Sequence, residues 1–241
     1  MQLRRRYAET SPRRLRETPL SVCGAALTPL PEGALWWADE RILVVADLHF
    51  EKGSAFAERG IALPPYDTGA TLTRLENLVE KFEPETLIAL GDSFHDRRAE
   101  KRMAGQDADR LTALTASCDW VWIEGNHDPA PPRRFGGTVK AEMNVGPLTF
   151  RHEPRPAPST GEIAGHLHPC AAVRVRGRRL RRRCFVSDTT RAILPAFGAY
   201  AGGLNVLDRA YAGLLPGRDF HAWMMGRDAV VPVSAARLEG D

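Results

Sequence analysis

Five short polar motifs carry residue types that could do chemistry: Asp47-Leu48-His49, Gly91-Asp92, Gly125-Asn126-His127-Asp128, His152, and Gly165-His166-Leu167-His168. Carboxylate, amide oxygen and imidazole together bind divalent manganese, iron, zinc or cobalt, without the thiolates that would narrow the choice. Two residues at i and i+2 leaving a strand, as Asp47 and His49 do, can both turn toward a metal at its tip. Asp92 has two carboxylate oxygens and is the natural bridge between two ions. Two ions about 3.5–4 Å apart can clamp a phosphate, activate a bridging water and neutralise charge on the transferred group. Glycine ahead of Asp92, Asn126 and His166 lets the chain turn sharply beside them. An isolated histidine is more often structural than a ligand, but five of the seven histidines fall in these motifs, which reverses that expectation. His221 lies in no motif and reads as structural or solvent-facing.

Each motif follows a predicted strand. Residues 34–38 and 41–46 flank Asp39-Glu40 as a hairpin, and the second strand runs straight into Asp47. Residues 68–82 have Leu72, Leu75, Val79 and Phe82 at helical spacing and stop at Glu83-Pro84. A strand over 86–90 ends at Gly91-Asp92, a helix over 102–117 follows, and a strand over 120–123 ends at Glu124-Gly125-Asn126. This alternation predicts a parallel or mixed sheet with helices outside it. Beyond residue 137 short strands succeed one another over 148–151, 162–164, 172–176, 179–186 and 191–194, predicting a second, mostly antiparallel sheet packed on the first. Ligands of open α/β sheets bind beyond the carboxyl ends of strands, so five strand ends bearing Asp, Asn and His converge on one rim. Trp36 and Trp37 point to opposite faces of a strand, with one in the core.

Hydrophobic content of 43% and charged content of 26% describe an ordinary globular chain, and no apolar run approaches a membrane span. Residues 1–19 read as a flexible basic arm and 20–241 as a single domain. A transit peptide would share the arm's arginines, but no secretory pattern follows them. The four cysteines form no CxxC pair, which argues against a zinc knuckle and for reduced thiols in a cytoplasmic protein. Residues 174–183 hold seven arginines, a solvated hairpin in the plain reading and a phosphate-backbone contact in the functional one. Its lack of interleaved aromatics, apart from Phe185, does not support base reading.

In order and type, the five motifs resemble those of the calcineurin-like metallophosphoesterases. That resemblance implies an α/β fold, a four-layer αββα sandwich with mixed central sheets. It also implies a ligand set of Asp47, His49, Asp92 and His168 for one metal, and Asp92, Asn126, His152 and His166 for the other. His127 would be the catalytic group near the leaving oxygen, with Asp128 orienting it through a hydrogen bond. A narrower likeness rests on Ala46-Asp47-Leu48-His49-Phe50-Glu51-Lys52-Gly53-Ser54, Gly91-Asp92-Ser93-Phe94-His95-Asp96, His152-Glu153-Pro154, and Leu194-Pro195-Ala196-Phe197-Gly198 with Gly202-Gly203. These are similar to the bacterial ligase-associated DNA-damage-response phosphoesterases over about residues 21–207. Cys184 stands after Arg183 where that family leads one to expect proline.

The resemblance implies a phosphodiesterase with two divalent ions, manganese first, acting on nucleic acid in a repair setting with a DNA ligase, an exonuclease and a helicase as partners. A small nucleotide, such as a cyclic one, is the alternative substrate. A scaffold without catalysis is the third reading, and the intact His127 speaks against it. His95, Lys52, Arg174 and Arg176 are the candidate substrate contacts.

Overall fold

The computed structural model describes residues 19–61, 63–64, 66–128 and 132–241. The basic arm, up to residue 18, lies outside them. In chain order the elements are β1 (Leu20–Val22), β2 (Ala25–Pro29), β3 (Leu35–Trp37), β4 (Ile42–Ala46), α1 (Lys52–Glu58), α2 (Asp67–Phe82), β5 (Thr86–Leu90), α3 (Ala99–Arg102), α4 (Gly105–Thr115) and β6 (Asp119–Ile123). Then come β7 (Thr138–Lys140), β8 (Met143–Val145), β9 (Leu148–Phe150), β10 (Glu162–Ala164), β11 (Pro169–Val175), β12 (Arg178–Ser187), β13 (Arg191–Ile193), β14 (Leu204–Asn205), β15 (His221–Met225) and β16 (Val230–Ser234).

Side-chain alternation explains why these strands stack as two sheets. In the first sheet β1 to β7 lie in chain order, antiparallel up to β4 and parallel from there. Leu43, Val45, Leu87, Ala89, Trp120 and Trp122 face α2 and α4, where they bury Leu72, Leu75, Leu78, Leu111 and Leu114. The intervening residues Val44, Ala46, Ile88, Leu90, Val121 and Ile123 face the other way and meet Phe150, Ile163, Phe185, Leu194 and Trp223 of the second sheet. A strand buried on both faces must be apolar at every position, which is why β4, β5 and β6 read as short unbroken apolar runs. Trp37 enters the layer between the sheets and Trp36 packs partly buried on the helical side, beside Phe82.

The second sheet runs β14-β11-β12-β13-β10-β9-β8, with β15 and β16 added beside β12. Its outward residues Cys184, Val186, Ile193, Ala222 and Met224 are covered by Val206, Tyr211, Leu214, Leu215 and Phe220. The fourth layer is therefore residues 204–220, whose regular turn is a 3-10 segment at Arg209–Tyr211. Among the described residues no α-helix follows Thr115. No described helix is long and apolar enough to cross a membrane. The helix expected over 102–117 starts at Gly105, because Met103 and Ala104 are extended and separate it from α3.

A buried ion network ties together the strands of this sheet that lead to the histidines. Glu162 opens β10 and takes Arg191 of β13 on one oxygen at 3.1 Å and Arg151 on the other at 2.9 Å. Arg151 also reaches Glu142 at 2.9 Å and is followed directly by His152. Glu162→Ala would leave the buried Arg191 without a counter-charge. The expected loss is about 3–5 kcal/mol of unfolding free energy, read by urea denaturation. A loss under about 1 kcal/mol would show that the network does not hold β9, β10 and β13 together.

Candidate metal centre

The polar motifs meet at the seam of the two sheets, at the carboxyl ends of β4, β5, β6, β9 and β10. Two groups of ligand-type side chains form there: Asp47, His49 and His168, and Asp92, His152 and His166. Asn126 joins the second, its Oδ1 lying 2.9 Å from His152 Nε2. His49 Nε2 and His168 Nε2 stand 3.3 Å apart, and His168 Nε2 is 3.4 Å from Asp47 Oδ1.

The chemistry of these groups fits two cations. His152 donates its Nδ1–H to the Leu90 carbonyl at 3.0 Å, so its Nε2 carries a lone pair. That lone pair faces Asn126 Oδ1, Asp92 Oδ1 at 3.5 Å and His166 Nδ1 at 3.2 Å. Besides the His127 N–H that Asp92 Oδ1 accepts at 2.9 Å, the ring of His166 is the proton source facing this cluster, and the two do not satisfy its lone pairs. Asp47 Oδ1 is buried without a hydrogen-bond partner among the described residues. Opposed acceptors of this kind are costly when buried and become ligands around a divalent ion. Burial, with His168 nearby, lowers the His49 pKa to about 2, and burial also lowers that of His166. Both imidazoles are thereby kept neutral, the form that ligates.

Backbone conformation aims the side chains. Asp47 (φ 54°), His49 (46°), Asp92 (45°), His166 (70°) and His168 (46°) all lie in the left-handed region, which non-glycine residues rarely adopt. Main-chain groups hold them there. His49 N–H donates to the Asp92 carbonyl at 2.9 Å, His166 N–H to Asp47 Oδ2 at 2.9 Å, and His127 N–H to Asp92 Oδ1 at 2.9 Å. A Cβ on Gly125 would stand 2.1 Å from the Asp92 nitrogen, and one on Gly165 would stand 2.7 Å from Asp47 Oδ2.

His127 is placed beside this cluster and half exposed, with Nε2 3.9 Å from Asp92 Oδ2. Its orienting partner differs from the expected one. Nδ1 lies 3.1 Å from the His95 carbonyl, while Asp128 turns inward and accepts the Phe94 N–H at 3.0 Å. Asp128 is buried beneath the loop that follows Asp92, and burial outweighs its backbone donors to push its pKa up to about 8. It braces that loop and does not orient His127. The His95 ring lies nearly parallel to His127, 5.8 Å away. Burial lowers the pKa of His95 as it does that of His49, and Lys52, which opens α1, stands close enough to add to both shifts.

Arg174 and Arg176 are not brought to the centre. They lie six and eight residues beyond His168 on the hairpin of β11 and β12, and Arg174 is paired with Glu239 at 3.0 Å. His221 is exposed at the start of β15.

Several positioning residues escaped sequence reasoning. Glu51 accepts the Thr68 hydroxyl at 2.9 Å and the Ser54 hydroxyl at 2.6 Å, and Asp67 accepts the Gly53 N–H at 2.9 Å. These bonds fasten the Lys52 turn to the start of α2. Their only signal was the run Glu51-Lys52-Gly53-Ser54, which gave no sign of its partners in α2. A cleft of about 840 Å³ opens beside Asn126 and His152, walled by Glu124, Glu142, Arg151 and Arg155.

The model of the calcineurin-like phosphoesterase family matches residues 40–174. Among solved structures, the Pseudomonas putida nuclease MPE is similar at 33% identity and TM-score 0.68, over 89% of this chain and 98% of its own. Yfce, a phosphoesterase from E. coli, matches at 14% identity and TM-score 0.41 over 80% of this chain and 98% of its own. A protein of unknown function from Aquifex aeolicus matches at 17% identity and TM-score 0.38 over 53% and 78%. No curated protein sequence matches.

Gly125→Ala should displace Asp92 and lower the metal content, read by elemental analysis after dialysis, with far-UV circular dichroism unchanged. Unaltered metal content would show that the Asp92 loop can move aside without consequence.

Proposed function

The chain belongs to the calcineurin-like phosphoesterases and is a metal-dependent hydrolase, and from that premise we propose that it cleaves phosphodiester bonds of nucleic acid as a cytoplasmic repair nuclease. The observation that carries the reaction is the adjacency of two cation-demanding groups to one half-exposed imidazole, that of His127. The nucleic-acid substrate is supported by the 33% identity to a nuclease over most of both chains.

Asp47, His49 and His168 would hold one ion, and Asn126, His152 and His166 the other, with Asp92 shared. Manganese is the ion we put first, on the family likeness, among the manganese, iron, zinc and cobalt that a mixture of carboxylate, amide oxygen and imidazole suits. Two bound divalent ions supply charge neutralisation for the phosphate and acidify water near neutral pH. His127 does the rest from the chain itself. Its Nδ1–H is spent on the His95 carbonyl, and Nε2 is left on the side of the ligand cluster, 3.9 Å from Asp92 Oδ2. In the protonated imidazole that nitrogen carries the proton needed by the departing oxygen. His95 and Lys52 border the approach and would meet the phosphate or its neighbours. The narrower family likeness supports a complex with a DNA ligase, an exonuclease and a helicase, which a pull-down with the ligase tests.

On a generic aryl phosphodiester with added Mn²⁺, His127→Ala should lower kcat by about 10²–10⁴ while metal content stays near that of the unaltered protein. Asp92→Asn should lose both metal and turnover. Retained turnover in both variants would sink the mechanism. The substrate is decided by assaying single-stranded, nicked and gapped DNA beside cyclic nucleotides. Rapid nucleotide turnover without strand cleavage would replace nucleic acid by a small nucleotide.

A further inference from the structure

The arginine hairpin gains a position and a side from the structure. In register, Val186 of β12 pairs with Ile193 of β13, which pairs with Ala164, the last residue of β10. Because β12 runs antiparallel to β13, its residues before Val186 continue in the direction in which β10 points. The hairpin therefore rises past the rim that carries the metal ligands. With β11 starting one residue after His168 and running to Val175, its tip stands about 20 Å beyond that rim at about 3.3 Å per residue.

The two faces of the hairpin differ. Arg179, Arg181 and Arg183 share the side of Phe185, toward the first sheet. On that side Glu239 pairs with Arg174 at 3.0 Å, and Asp241 pairs with Arg179 at 2.6 Å and Arg181 at 3.3 Å. These acids offset the like charges that cross-strand pairing brings together at Arg174 and Arg179. Arg178 and Arg182 occupy the other side and Arg176 the turn; all three are exposed and have no acidic partner among the described residues. Val175 and Leu180, exposed at 50% and 36%, lie beside them. An edge hairpin needs a charge or two to avoid self-association, and three unmatched arginines at one tip exceed that need.

We propose that this hairpin is a docking arm for the sugar-phosphate backbone of a nucleic-acid strand whose scissile bond lies at the metal centre. The inference rests on the nucleic-acid reading of the site. Three arginines along one tip match a ligand with regularly repeated negative charge, and the absence of exposed aromatics there fits backbone contact without base reading. A reach of about 20 Å corresponds to roughly six nucleotides of a stacked strand at about 3.4 Å each, and to fewer of an extended one. A dinucleotide cannot touch both the arm and the centre.

The test is fluorescence anisotropy of the metal-loaded full chain on single-stranded phosphorothioate DNA of two and thirty nucleotides, across a salt series. The unaltered protein should bind the longer strand more tightly. Combining Arg176→Glu, Arg178→Glu and Arg182→Glu should weaken that binding at least about tenfold at low salt and flatten the salt slope by about two. Equal affinity for both strands, or an unchanged slope in the triple variant, overturns the docking arm. Hydrolysis is read separately on ordinary DNA: its absence in the unaltered protein sinks the proposed function, whereas an unchanged slope beside active cleavage sinks only the arm.

Discussion

Acceptor groups crowded at the seam of two sheets set the terms for the rest of this fold. Asp47, Asp92 and four imidazoles stand within contact of one another, several of them buried, and their lone pairs have too few protons to face. Such a cluster is unfavourable by itself. It persists because the surrounding chain over-determines it. Five of its residues hold left-handed backbone, at about 1–3 kcal/mol each, and the parallel ladders beneath them carry that strain. Metal binding then becomes part of the energetics of the fold, since the ligand cluster exists only once the sheets have packed.

The division of labour between the sheets follows from the same constraint. The first sheet delivers Asp47, His49, Asp92, Asn126 and His127, and the second delivers His152, His166 and His168. Neither sheet holds a complete site. The apolar layer between them, with Val44, Ile88, Ile123, Phe150, Ile163 and Phe185, is therefore the element that sets distances between ligands. The buried Arg191–Glu162–Arg151 network adds direction to that layer. It fixes the relative height of β9 and β10, and so the height of His152 against His166.

The parts legible in the sequence were those with local signals. Apolar runs ending in Asp or Asn gave β4, β5 and β6 and the motifs at their tips, because full burial forces an unbroken apolar strand. Helix α2 showed itself by its spacing. The hairpin of β1 and β2, the short α1 broken in pattern by Gly53 and Ser54, and the pair β15 and β16 were not foreseen. These are short or edge elements fixed by what they pair with. Left-handed φ at Asp47 or His168 leaves no trace in residue type, since glycine would be the usual sign. The orienting role that the resemblance implied for Asp128 is filled otherwise: neighbouring residues in a tight loop point apart, and its carboxylate went to Phe94 while the His95 carbonyl took His127. Glu239 and Asp241 lie some sixty residues from the arginines they neutralise, so the sequence showed a uniform basic run where the structure has two unlike faces.

The family likeness extends beyond the ligands, and the structure supplies a reason. Residues 194–203 contain no ligand, yet they clasp the loops that do. Phe197 N–H donates to the Ala46 carbonyl at 2.7 Å and Gly198 N–H to that of Asp47 at 3.1 Å, where a Cβ would stand 2.4 Å from the Leu48 carbonyl oxygen. Gly203 leaves a Cβ no room against Cys170 Sγ at 2.0 Å, and the next residue, Leu204, donates its N–H to the His168 carbonyl at 3.0 Å. One segment thus grips the strained loops of Asp47 and His168, two ligands of the same group contributed by different sheets. A ligand pair joined across a seam needs a fastener that touches both sides. In this chain the fastener is backbone, so what it requires of the sequence is glycine where the clasped loops leave no room for a side chain.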